Sequence, residues 1–99
     1  MEFIAEHLDH VHRLCQRHSV DKLYLFGSAV NNSLTENSDI DMVVKFKEID
    51  LRYYAENYFD FKSQLQSLFH RNVDLLEEQA IRNPFVKSSI NKTKKLIYG

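Results

Sequence analysis

Ninety-nine residues are enough for one domain with a modest core and a single active site. The 43% hydrophobic and 12% aromatic content excludes a disordered chain, and a formal net charge of −1 lacks the basic surplus of a dedicated nucleic-acid binder. The lone Cys15 excludes an internal disulfide, and no signal-peptide pattern or membrane-length apolar run is visible, so a cytoplasmic protein without direct membrane or nucleic-acid partners is expected.

In chain order, residues 2–18 read as an amphipathic helix, with Ile4, Leu8, Val11 and Cys15 on one stripe. Cys15 is expected to be a buried small hydrophobe there. Ser19 to Lys22 form a polar break, and Leu23–Phe26 a strand that Gly27 ends at a sharp turn. A short helix over Ser28–Leu34 and a polar loop over Thr35–Ser38 are expected next, followed by a strand over Ile40–Phe46. A long helix from Leu51 to Phe69 carries Tyr54, Tyr58, Phe61, Leu65 and Leu68 on one face. Asn72–Leu76 reads as a third strand. Asn83-Pro84 has the form of an N-cap followed by proline in the first helical turn, opening a last helix towards Ile97. The expected fold is therefore α/β (α+β), a small mixed sheet with helices packed on one face and no division of residues 1–99.

Chemistry concentrates between Gly27 and Asp41. Asp39 and Asp41 alternate with Ile40 and Met42, so both carboxylates leave one face of the strand while the apolar residues enter the core. Two adjacent anions repel unless a cation joins them, and magnesium commonly takes one or two carboxylates plus substrate phosphates. Asp74, between Val73 and Leu75, repeats this pattern on the third strand. Gly27 lets backbone approach a phosphate closely, and Ser28 adds a hydroxyl donor at the start of a helix. A lone Gly-Ser says little; the ten residues between Ser28 and Asp39 give it meaning.

Charge is unevenly distributed. Residues 82–99 carry Arg82, Lys87, Lys92, Lys94 and Lys95 with no acid, a local charge of +5, against −6 for residues 1–81. A helix with a solvated cationic face is the simpler reading, and a surface for an anionic ligand or acidic partner the sharper one. His7, His10, His12, His18 and His70 have no cysteine or carboxylate constellation to complete a zinc site and read as surface or edge residues. The aromatics Tyr53, Tyr54, Tyr58 and Phe59 read as core and partner-facing surface, with a base-stacking platform as the alternative.

Gly27-Ser28, ten residues, then Asp39-Ile40-Asp41 resembles the signature of nucleotidyltransferases with a DNA polymerase β-like palm. The small size, Ser38-Asp39-Ile40-Asp41, Val73-Asp74-Leu75 and the ending Leu96-Ile97-Tyr98 are similar to the minimal nucleotidyltransferase (MNT) branch. The resemblance implies that Asp39, Asp41 and Asp74 are the catalytic acids and ligands of magnesium, with two ions expected, and that Gly27 and Ser28 grip the triphosphate of ATP. It also implies an antitoxin that transfers AMP to a tyrosine of a HEPN-domain toxin. Where related sequences often continue Gly-Ser-x-Ala-Arg-Gly, this chain has Asn31 and Asn32 in place of the Arg and second Gly.

The function expected is thus a magnesium-dependent nucleotidyltransferase moving AMP from ATP to a partner toxin. The alternatives are transfer to a small, aminoglycoside-like molecule and a binding antitoxin without catalysis. A chain this short is expected to complete its pocket with a partner or a second copy, as a homo- or hetero-oligomer.

Overall fold

The computed structural model describes residues 2–27, 30 and 38–99. Their elements are α1 (Glu2–Ala5), α2 (Leu8–Arg17), β1 (Val20–Phe26), β2 (Ile40–Phe46), α3 (Leu51–Phe69), β3 (Val73–Glu77), a 3-10 turn (Glu78–Ala80), α4 (Pro84–Thr93) and β4 (Lys95–Tyr98). The four strands form one mixed sheet in the order β3-β2-β1-β4. β1 pairs antiparallel with β2 and β4, while β2 and β3 run parallel, joined through α3.

Alternation builds the core. Ile40, Met42, Val44 and Phe46 of β2 are buried beside Leu23 and Leu25 of β1 and Val73 and Leu75 of β3. Against this face pack Ile4 of α1, Val11, Leu14 and Cys15 of α2, and Phe61, Leu65 and Phe69 of α3. Cys15 is fully buried, and desolvation pushes its thiol up to about 12, so it is an inert hydrophobe at neutral pH. The long helix and the second strand lie over the residues expected from periodicity. Asp50 caps α3 by accepting from the Arg52 backbone N–H at 2.9 Å, and His70 ends it in a left-handed conformation at φ 54°.

Four expectations are corrected. The first helix is broken between α1 and α2, where the His7 N–H bonds Ile4 O at 3.0 Å as a tight turn, and the His7 ring packs edge-on against Phe69. The first strand begins at Val20 rather than Leu23. A bulge between Val20 and Lys22 takes up Asp21, after which Lys22 pairs with Lys45, and Ser19 makes the preceding turn at φ 56°.

The last helix stops at Thr93. Lys94 is extended (φ −62°, ψ 145°), and Lys95–Tyr98 form β4, which covers the otherwise bare edge of β1 and sends Ile97 into the core. His18 is buried. One ring nitrogen bonds Leu14 O at 2.7 Å and the other Asp60 Oδ2 at 2.6 Å, while the Asn57 amide donates to His18 O, so this residue clamps the end of α2 to α3.

β3 and β4 occupy opposite edges of the sheet, so the segment between them crosses it. That segment carries α4, which lies over the face away from the main core. Among the described residues no helix is long and apolar enough to span a membrane.

Candidate active site

The acids meet where β1 ends and β2 and β3 begin. Asp41 pairs in register with Phe26 of β1 on one side and with Asp74 of β3 on the other. These three residues therefore form a row across the sheet, on the face opposite the core. The Ile40 N–H bonds Asn72 O at 3.0 Å, which fixes the start of β2 against β3 and sets this register.

Gly27 closes the row. It adopts φ +71°, and a Cβ there would lie 2.6 Å from Asp41 Oδ2. The missing side chain thus makes room for the Asp41 carboxylate, a reason for glycine beyond the phosphate approach expected from the sequence. The Val30 N–H bonds Gly27 O at 3.1 Å. Ser28, Asn31, Asn32 and the loop up to Asn37 lie outside the described residues, as does all of the expected Ser28–Leu34 helix except Val30.

Electrostatics follow from the crowding. The Asp41 carboxyl is held above its ordinary range, first by burial and then by the charges of Asp74 and Asp39. Asp39 is exposed just before β2 and opens on a polar cleft of 530 Å³ that includes Ser38, Ser67, His70 and Arg71. The Arg71 guanidinium donates to Ser38 O at 3.4 Å.

Asp41 and Asp74 are therefore neighbours across one strand pair, with Asp39 at the mouth and near enough to raise Asp41. Among the described residues, no three His, Cys, Asp or Glu side chains converge closely enough to hold a metal ion. An open site of this kind still suits magnesium, which takes its remaining ligands from phosphate and water. Repelling carboxylates beside a solvent-accessible face are the donor set that a hard dication relieves.

Sequence reasoning missed one contributor. Tyr58, expected on the core stripe of α3 and among its core and partner-facing aromatics, donates its hydroxyl to Leu75 O at 2.5 Å at the outer edge of β3. Its phenol is raised by burial and then by Asp74, so this ring supports the strand beside the third acid. A helical stripe in the sequence marks the ring as buried but not where its hydroxyl ends. On the other side, Phe26, Gly27, Asp74 and Leu76 form one wall of a 580 Å³ cleft whose second wall is α4.

Residues 9–99 match the family model described as Polymerase beta, Nucleotidyltransferase. The chain belongs to this nucleotidyltransferase family. It is 36% identical over 85 residues to the candidate protein adenylyltransferase MJ1379 of Methanocaldococcus jannaschii, covering 86% of this chain and 82% of that one. It is 26% identical over 83 residues to the protein adenylyltransferase MntA of Thermococcus cleftensis, covering 84% and 81%.

Among solved structures, a candidate minimal nucleotidyltransferase superposes with TM-score 0.80 at 24% identity, over 95% of this chain and 92% of that one. A toxin-antitoxin structure with AMP-PNP gives TM-score 0.73 at 21% identity, over 93% and 73%. These likenesses show the fold: the sheet and helices of this nucleotidyltransferase are arranged as in those structures.

Proposed function

We propose that this nucleotidyltransferase transfers AMP from ATP to a tyrosine hydroxyl of a partner HEPN-domain toxin, and so acts as an antitoxin. The row Phe26–Asp41–Asp74, closed by a glycine whose absent Cβ admits the Asp41 carboxylate, carries this reading. Relatives named as protein adenylyltransferases support the transferred group and the protein acceptor. A structural neighbour described as a tri-AMPylated HEPN toxin of Shewanella oneidensis in complex with an MNT antitoxin supports the class of partner.

In the reaction the acceptor oxygen bonds to the α-phosphorus of ATP, the bond from that phosphorus to the bridging oxygen breaks, and pyrophosphate leaves. Asp74, exposed on the edge strand, takes the acceptor proton as it is lost. Asp39 and Asp41 would hold magnesium, with Asp74 completing the site; when bound, the metal offsets phosphate charge during in-line displacement, commonly as two ions. Gly27 and Ser28 position the triphosphate, Gly27 also by leaving Asp41 its place.

The test is incubation with ATP, magnesium and a HEPN-domain protein, read by intact mass. Stepwise gain of AMP on the partner is expected, abolished in Asp39→Asn and Asp41→Asn. A stable complex with no mass gain would identify a binding antitoxin instead. Gain on a small hydroxylated acceptor alone would identify the aminoglycoside-like transferase.

A further inference from the structure

The cleft beside Asp74 is the largely apolar one at the acid face, and its outer wall is under-packed for a helix. Phe85 is 84% and Val86 43% exposed, every residue from Arg82 to Ser89 is exposed, and only Ile90 of α4 is buried. Ten residues are too few to hold a helix in water without packing on an apolar stripe. At about 100° per residue, Phe85, Val86, Ser89, Ile90 and Thr93 form a single stripe on the cleft side, with Lys92 along one margin and Lys87 along the other. Lys94 is already engaged, its Nζ 4.1 Å from the centre of the Tyr24 ring. No acid occurs from residue 82 to residue 99.

We infer that the α4 stripe and its lysine margins dock an acidic segment of the acceptor protein, seating an aromatic side chain in the cleft next to Asp74. Charge selects this occupant. The lysines flank the stripe from outside the cleft and suit a chain laid along the helix. The inference rests on the protein-acceptor reading above and adds the surface and the chemistry that it recognises.

The probe is a fluorescent peptide with one tyrosine among glutamates and aspartates, and its lysine-substituted counterpart. Anisotropy reports binding in the presence of magnesium and a non-hydrolysable ATP analogue, and mass reports transfer with ATP. The acidic peptide should bind, the basic one should not, and the double variant Lys87→Glu with Lys92→Glu should weaken acidic-peptide binding by about tenfold or more. That double variant should bind the ATP analogue as the unchanged protein does and should gain affinity for the basic peptide.

Phe85→Ser should weaken the acidic peptide independently of salt. Peptide binding that ignores the charge reversal overturns the inference, as does loss of ATP-analogue affinity in Phe85→Ser with peptide binding unaltered, which would assign the cleft to the base. Charge-dependent binding without transfer would leave the docking surface standing and count against the protein-acceptor reading.

Discussion

Gly27 joins two requirements in one position. Its positive φ costs a residue with a Cβ about 1–2 kcal/mol, and that Cβ would collide with Asp41 Oδ2. Gly27→Ala should therefore lower stability by about that amount, while displacement of Asp41 by ångströms should cut transfer on the order of 100-fold. Parallel thermal melts and initial rates check this, and equal losses in the two would remove the special coupling of Gly27 to Asp41. Asp41 itself is a charge that the fold tolerates at a cost. Because its folded carboxyl is raised, its contribution to stability is complete below the unfolded value of about 3.9 and is lost as pH rises through the folded value. At neutral pH Asp41→Asn should thus melt higher than the unchanged protein while losing transfer. The gap should close as pH falls towards 4, and a gap that stays flat with pH would contradict a raised Asp41 carboxyl.

At the scale of elements, α4 is separable from the core. Asn83 caps it by accepting from the N–H groups of Phe85 at 2.9 Å and Val86 at 3.3 Å. Asn83→Ala should cost about 1 kcal/mol locally, seen as faster amide exchange over α4 with the exchange of α3 unaltered. What the sequence disclosed follows the same division. β2 and α3 were legible because Ile40–Phe46 is rich in apolar and β-branched residues and Leu51–Phe69 keeps its stripe for 19 residues. β4 was not, since a four-residue strand after a helix has no period of its own and takes its conformation from the edge of β1. The bulge at Val20–Lys22 hid the start of β1 for the converse reason, breaking an alternation that exists. Of the site, the alternation of Asp39, Asp41 and Asp74 was readable from residues alone. The register that aligns Asp41 with Asp74, the slot at Gly27 and the reach of Tyr58 arise only from contacts between distant segments.

For the whole molecule, the proposed nucleotide site at the acid face would make ligand binding and folding share an energy. With a nucleoside triphosphate at about 100 times its dissociation constant, stabilisation is about 2.7 kcal/mol. For a chain of 99 residues that is on the order of 10 °C in melting temperature. ATP with magnesium should give such a shift, ATP with a chelator a much smaller one, and Asp39→Asn with Asp41→Asn almost none. A full shift in the double variant, followed by scanning fluorimetry, would place nucleotide binding away from these acids.

The route of α4 from one sheet edge to the other has a mechanical consequence. The segment is moored by β3 at one end and by β4 at the other, like a handle fixed at both roots, while a single buried isoleucine presses its middle down. A span tied at both ends stays over the acid face, and the separation of its ends is fixed by the sheet.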